Sequence, residues 1–145
     1  MTELKHKFRL KFIIRDFTEE TLNELAINTI AFTLPTISFS VLALTPAWSD
    51  ISVTMQKDSS HLVENGINEL LKRQMARANY KFDLHCDVLS DSRKPKVLTH
   101  WVFEGCFLKT IDYGELDYKS AEPTQFDLDI CFDTATNYNT SKNNA

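Results

Sequence analysis

Alternation of apolar and polar side chains, repeated in several separate stretches, constrains this chain more than any other feature. In residues 97–103, Val97, Thr99, Trp101 and Phe103 fall on one side. In residues 125–132, Phe126, Leu128, Ile130 and Phe132 oppose Gln125, Asp127, Asp129 and Cys131. A period of two places successive side chains on opposite faces of a strand, so each run has one buried and one wet face. Sheets wetted on one face are antiparallel in character, because parallel sheets are covered on both. Between the two runs, residues 105–123 read as an irregular bridge, with a tight turn at Tyr113-Gly114 and a break at Pro123.

The same period recurs upstream. Phe8, Leu10, Phe12 and Ile14 oppose Lys7, Arg9 and Lys11; Ile51, Val53 and Met55 oppose Ser52 and Thr54; Tyr80, Phe82, Leu84, Cys86 and Val88 oppose Lys81, Asp83, His85 and Asp87. Residues 36–44 read as a further strand, apolar on both faces at Val41, Leu42, Ala43 and Leu44, and predicted to form a hairpin with residues 48–56. Two stretches change to helical spacing. Asp16 is the expected cap of a short helix carrying Leu22, Leu25 and Ala26, with Glu19 completing a capping box. The long helix is expected at about 61–77, capped by Asp58, Ser59 or Ser60, with Leu62, Val63, Ile67, Leu70, Leu71 and Met75 as its docking stripe. Gly66 inside it marks close packing on the sheet, and Lys72, Arg73 and Arg77 suit its negative end. The expected order is β-α-β-β-α-β-β-β in one domain over residues 1–136, with 137–145 a mobile tail.

The predicted class is therefore α+β, mainly β: an antiparallel sandwich or open barrel flanked by one main α-helix. The length of 145 residues buries a core without staples. The net charge of −4 argues against a tight grip on nucleic acid through phosphates. Three cysteines, Cys86, Cys106 and Cys131, make no disulfide framework or C-x-x-C pair and are read as reduced packing residues of a cytosolic chain. No apolar run is long enough for a membrane span, and the charged, alternating start is unlike a secretion signal.

Catalytic signatures are lacking: there is no P-loop, G-x-G-x-x-G, H-E-x-x-H or G-x-S-x-G. His85, Cys86 and Asp87 invite a metal or nucleophile reading, but in a strand Cys86 points away from both neighbours. No catalytic residue, metal or cofactor is expected. Trp48 and Trp101 read as core or contact anchors, and His100 as a partly exposed strand residue. Residues 36–44 are either a subunit contact or a buried central strand.

The run from Trp101 to Pro123, W-x-F-x-G-C-F-x-x-x-I-D-Y-G-E-L-D-Y-x-S-x-E-P, followed by an alternating strand, resembles the C-terminal half of the tail tube proteins of contractile-tailed bacteriophages. The matching elements are Trp101, Gly105, Leu116, Asp117, Tyr118, Ser120 and a strand over residues 124–133. Upstream, the Leu34-Pro35 end of an apolar stretch, Trp48 before I-S-V-T-M, and the following helix and strand fit the same order. The likeness covers roughly residues 5–133. The tube component of type VI secretion has a related fold. Tube proteins carry a long hairpin between the Leu-Pro and the Trp strand that reaches the neighbouring ring; here only residues 36–47 are expected for it, a short version.

The resemblance implies a structural virion protein whose strands close into a barrel across the subunits of a hexameric ring. Rings stack into the tail tube through which DNA is ejected without specific binding. The implied partners are other copies of the chain, the sheath, and baseplate or neck proteins. Asp83, Asp87, Asp127 and Asp129 are candidates for the channel wall, where weak acidity repels phosphate; the alternative is an ordinary solvated strand face. Val41, Leu42, Leu44, Trp48, Lys7, Arg9 and Lys11 are candidate subunit contacts. The short hairpin leaves room for an end ring, either a baseplate tube initiator or a neck-proximal tube protein. A monomeric binding module is the remaining alternative.

Overall fold

A computed structural model describes residues 7–42, 46–57, 60–114 and 125–139. Its elements are β1 (Lys7–Ile13), α1 (Glu19–Ile27), β2 (Thr29–Thr33), β3 (Ile37–Phe39), β4 (Pro46–Trp48), β5 (Ile51–Gln56), α2 (Leu62–Ala76), β6 (Phe82–Leu89), β7 (Val97–Asp112), β8 (Gln125–Cys131) and β9 (Thr134–Asn139). The main sheet runs β1-β6-β7-β8-β5-β2, every pair antiparallel, with β9 also on β7. It curls around one core but is not closed, since β1 and β2 stand at opposite ends of the order. Their meeting is made by side chains: the Phe8 and Phe32 rings lie 6.2 Å apart. The fold is thus mainly β, an antiparallel open barrel with helices at its side.

Alternation sorts the residues as the sequence implies. Leu10 and Phe12 of β1, Ile51, Val53 and Met55 of β5, Phe82, Leu84 and Cys86 of β6, and Phe126, Leu128 and Ile130 of β8 are all buried in one cluster. Phe103 of β7 is completely buried, its ring 6.2 Å from Phe32 and 5.2 Å from Phe132. Val63, Ile67 and Leu70 of α2 and Leu25 of α1 complete the core.

β7 corrects the expected irregular bridge. It continues to Asp112, sixteen residues in all, and only then turns at Tyr113-Gly114, where Gly114 has φ +87°. A bulge stands where the irregular bridge was expected to begin: Gly105, with φ +68°, kinks the strand while its N–H donates to Asp83 (3.3 Å), and the break expected at Pro123 lies outside the described residues. β8 and β9 accompany β7 in nearly continuous register, from Asp112↔Asp127 to Thr99↔Asn139. Asn137, Tyr138 and Asn139 therefore belong to a strand, not to the expected mobile tail.

The region 27–56 departs most from expectation. Asn28 ends α1 by donating from its backbone and side chain to Glu24, and the chain turns directly into β2, which pairs with β5. The nine-residue strand expected at 36–44 is only three residues long, Ile37–Phe39, and pairs with β4. Pro35 and Pro46 have no N–H to give a longer ladder. Thr36 and Ser49 join the two ladders, through Ser49 N to Thr36 O (2.9 Å) and Thr36 N to Ser49 Oγ (2.8 Å). The arm outside the main sheet is thus β3 with β4, within residues 36–48, the short hairpin expected, while β2 and β5 at its foot are strands of the barrel.

The helix caps differ too. Thr18, not Asp16, caps α1, accepting from Thr21 N, while Asp16 takes φ +63° in the preceding turn. α2 starts after His61, which is left-handed and makes no side-chain cap; Asp58 and Ser59 lie outside the described residues. Gly66 packs against α1 and its approach, not the sheet: a Cβ there would lie 3.3 Å from Thr21 Cγ2 and 3.4 Å from Phe17 Cε2. Met75, expected in the docking stripe, is exposed.

Candidate functional site

Three surfaces bear on what the fold can do: the outer face of β5-β8-β7, the outer face of β1-β6-β7-β9, and the arm.

On the first, Asp127 and Asp129 point away from the core, in alternation with Phe126, Leu128 and Ile130. Hydroxyls on neighbouring strands tie them down. Thr54 Oγ1 donates to Asp127 Oδ1 (2.7 Å); Ser52 Oγ (2.9 Å) and Thr110 Oγ1 (2.8 Å) donate to the two oxygens of Asp129. Lys109 reaches Asp50 at 2.9 Å, and that bond holds the Asp50 carboxyl below its usual range. Burial, and then the bond to Asp50, push the Cys131 thiol up, so it is a poor nucleophile. The result is a wall of hydroxyls and acids laid flat, with one basic residue, Lys109, folded onto Asp50.

Asp83 and Asp87 do not share that face. They project from β6, with β7 and its kink between them and β8. Asp83 accepts the Gly105 N–H. Asp87 is the hub of a cross-strand cluster: Arg9 of β1 donates at 3.1 Å and His100 of β7 bonds at 2.5 Å. Burial is the largest single influence on Asp87 and opposes its charge. The bonds from His100 and Arg9 together outweigh it and hold the carboxyl below its ordinary value. His85 stands edge-on to His100, centroids 5.2 Å apart, and is disfavoured as a cation by burial and by His100. Cys86, between His85 and Asp87, turns into the core, where burial pushes its thiol up to about 12. The three do not converge.

Among the expected contacts, Val41 and Leu42 sit in the turn at the arm's tip, 93% and 96% exposed, with Phe39 and Ile37 also exposed beside them. Leu44 lies outside the described residues, as do Leu116, Asp117, Tyr118 and Ser120. Trp48 lies at the arm's base, edge-on to Trp101 (6.3 Å) and Phe132 (6.0 Å), so it anchors the arm to the barrel while remaining partly exposed. Arg9 is engaged with Asp87, Lys11 is exposed opposite His85, and Lys7 begins β1 opposite Leu89. The sequence reading missed β2 and Gln74, a helix residue whose amide bonds the backbone of Leu108. The Thr29–Thr33 run, Thr-Ile-Ala-Phe-Thr, carried the β2 signal; nothing in the sequence marked Gln74.

No protein-family profile and no curated protein sequence matches the chain. Solved structures do. The cap that terminates the tube of the anti-feeding prophage is similar at TM-score 0.65 and 12% identity, covering 96% of this chain and 93% of that one. The tube and sheath terminator of an extracellular contractile injection system (PVC) is similar at 0.63 and 8%, covering 90% and 92%. An Hcp1 protein from E. coli is similar at 0.63 and 10%, covering 94% and 93%. At such identities the likeness is one of backbone architecture. The chain has the tube fold found in Hcp proteins and in the tube, cap and baseplate proteins of contractile injection systems.

Proposed function

We propose that this chain is a structural, non-enzymatic subunit of a phage-like contractile tail tube, forming hexameric rings that stack around a DNA channel. The observation that carries this reading is the arm: the β3–β4 hairpin, outside the main sheet, whose turn exposes Val41 and Leu42 almost completely, on a barrel left open between β1 and β2. Apolar side chains at the end of a projecting hairpin stabilise nothing in the isolated subunit and suit a groove in an adjacent ring. Open sheet edges are completed when strands pair between copies.

In this reading Asp127 and Asp129 line the bore, held flat by Ser52, Thr54 and Thr110, and repel passing phosphates without binding them. Asp83 and Asp87, with Arg9 and Lys11, then lie on the side turned to the sheath or a neighbouring subunit. The location is the tail of the assembled particle, with sheath and baseplate or neck proteins as partners. A second reading, an end ring, is favoured by the likeness to the anti-feeding prophage cap and the PVC terminator. Negative-stain imaging of the purified protein tests both. Stacked tubes support a main tube subunit and single rings an end ring; a monomer at all concentrations, alone and with its sheath, overturns both.

A further inference from the structure

β7 is longer than the strands on one of its edges. β8 and β9 pair with one edge from Thr99 to Asp112, either side of the Gly105 kink. On the other, β6 stops at the Phe82↔Cys106 pair, and among the described residues no strand covers residues 107–112 on that side. The last turn of α2 occupies the start of this gap. Gln74 Nε2 donates to the Leu108 carbonyl (2.6 Å), and the Leu108 N–H donates to Gln74 Oε1 (2.9 Å). One residue giving and accepting both bonds of another is what an antiparallel strand offers its partner. A side-chain amide here imitates a strand.

We propose that Gln74 is a removable clasp: it satisfies the open edge of β7 in the free subunit and yields the Leu108 backbone to β2 of a second copy when subunits join side by side. The proposal rests on the ring reading above and adds to it the strand pair and what guards it. β2 is the fitting occupant. It is paired on one side only, to β5, and stands at the opposite end of the same sheet. Its five residues match the five from 108 to 112. Its free side borders a groove of about 510 Å³ lined by Phe8, Leu10, Ala26, Ile27, Ile30 and Leu89, with Ile27 and Ile30 exposed. Joining the β7 edge of one copy to the β2 edge of the next is head-to-tail, the arrangement that closes into a ring when the rotation permits. An unguarded edge on a free subunit invites wrong pairing, and a clasp suppresses it until the correct partner arrives.

The test compares the wild type with Gln74→Ala, Gln74→Glu and Gln74→Ala combined with Ile30→Pro. Ile30 is the bulged residue skipped in the β2–β5 register, so proline there blocks the outer edge with least harm to that pair. Hydrogen exchange at the Leu108 amide is read in dilute protein, and association by sedimentation velocity over a concentration series. Gln74→Ala is expected to speed Leu108 exchange about tenfold or more and to associate at several-fold lower concentration. Ile30→Pro is expected to cancel that gain. Gln74→Glu keeps the acceptor but loses the donor, so Leu108 stays slow while association rises less; it also serves if the alanine variant does not fold. Unchanged exchange, or faster exchange with no gain in association, makes Gln74 a permanent cap and overturns the proposal. A gain that survives Ile30→Pro overturns β2 as the occupant. If the variants behave as expected but imaging of the wild type shows no rings, the ring reading fails and the clasp stands.

Discussion

The carboxylate of Asp133 fills the space into which any side chain at Gly105 would grow: a Cβ built there would lie 2.6 Å from Asp133 Cγ. Asp133 is held in place by its own N–H to Glu104 O (2.9 Å) and by Lys81 at 2.8 Å. The kink in β7 and the junction between β8 and β9 are therefore one unit.

Gly105→Ala meets both a left-handed backbone and this contact, and is expected to cost about 1–3 kcal/mol. Urea unfolding checks the loss. Adding Asp133→Gly removes the steric part, and the double variant should recover some of the stability. If Gly105→Ala unfolds at the wild-type midpoint, the kink does not need glycine.

Phe103 is fully buried between the rings of Phe32, Trp101 and Phe132. Phe103→Ala leaves a cavity where β7 meets the arm's base, with an expected loss of about 3–5 kcal/mol. A shift in the midpoint of less than a third of that would mean the neighbouring rings collapse into the space.

The arm's tip gives the opposite pattern. Val41→Asp with Leu42→Asp alters residues that touch almost nothing in the subunit. The thermal midpoint should stay within about 1–2 °C of wild type, as for surface changes generally. Stacking of rings, seen by imaging or sedimentation, should be lost. Normal tubes from this variant would remove the arm from the assembly contact.

On the bore face the expected result concerns charge. Asp127→Lys with Asp129→Asn makes the proposed channel wall basic while leaving the fold intact. Assembled rings should then retain duplex DNA at low salt and release it as salt rises. Wild-type rings should not retain it. Equal retention by both would place these acids elsewhere.

Acidification has a direction set by His85. Its folded value lies below the ordinary 6.5, first through burial and then through His100; Lys11 also opposes its charge, while Asp83 and Asp87 favour it. Below 6.5 the unfolded chain binds more protons than the folded one there. The contribution is therefore complete above 6.5 and lost as pH falls through the folded value. Asp87, with its folded value lowered from 3.8, loses its contribution only below that. His85→Gln should flatten the fall in thermal midpoint between pH 7 and 5, by no more than a few degrees because the ring is only partly buried. An unchanged slope would remove His85 from the acid response.

Much of the barrel was legible because alternation is a local signal. β1, β5, β6 and β8 each carry their buried face in every second residue, and α2 its stripe at three and four. The misses have physical causes. β7 looked broken at Gly105 because glycine signals a turn as well as a bulge, and only the position of Asp133 decides between them. β2 was hidden in a short run next to a helix end, where Ile30 bulges out and spoils the alternation. The strand expected at 36–44 had the right composition but lies between two prolines, on an arm with no second sheet behind it. The acids were correctly placed on wet faces, yet which pair shares a wall depends on strand order, which no single strand encodes. Gln74 was illegible for the same reason: an amide on a helix becomes meaningful only when Leu108, thirty-four residues later, arrives beside it.

The Phe8–Phe32 contact where β1 meets β2 carries a mechanical consequence. Every other junction around the barrel is a ladder of directional bonds, which resist shear. Among the described residues no ladder joins this one, and the two rings that face each other across it, 6.2 Å apart, slide at small cost. Deformation of the subunit therefore concentrates along that line, and the curvature of the wall can adjust there while the rest of the barrel keeps its shape.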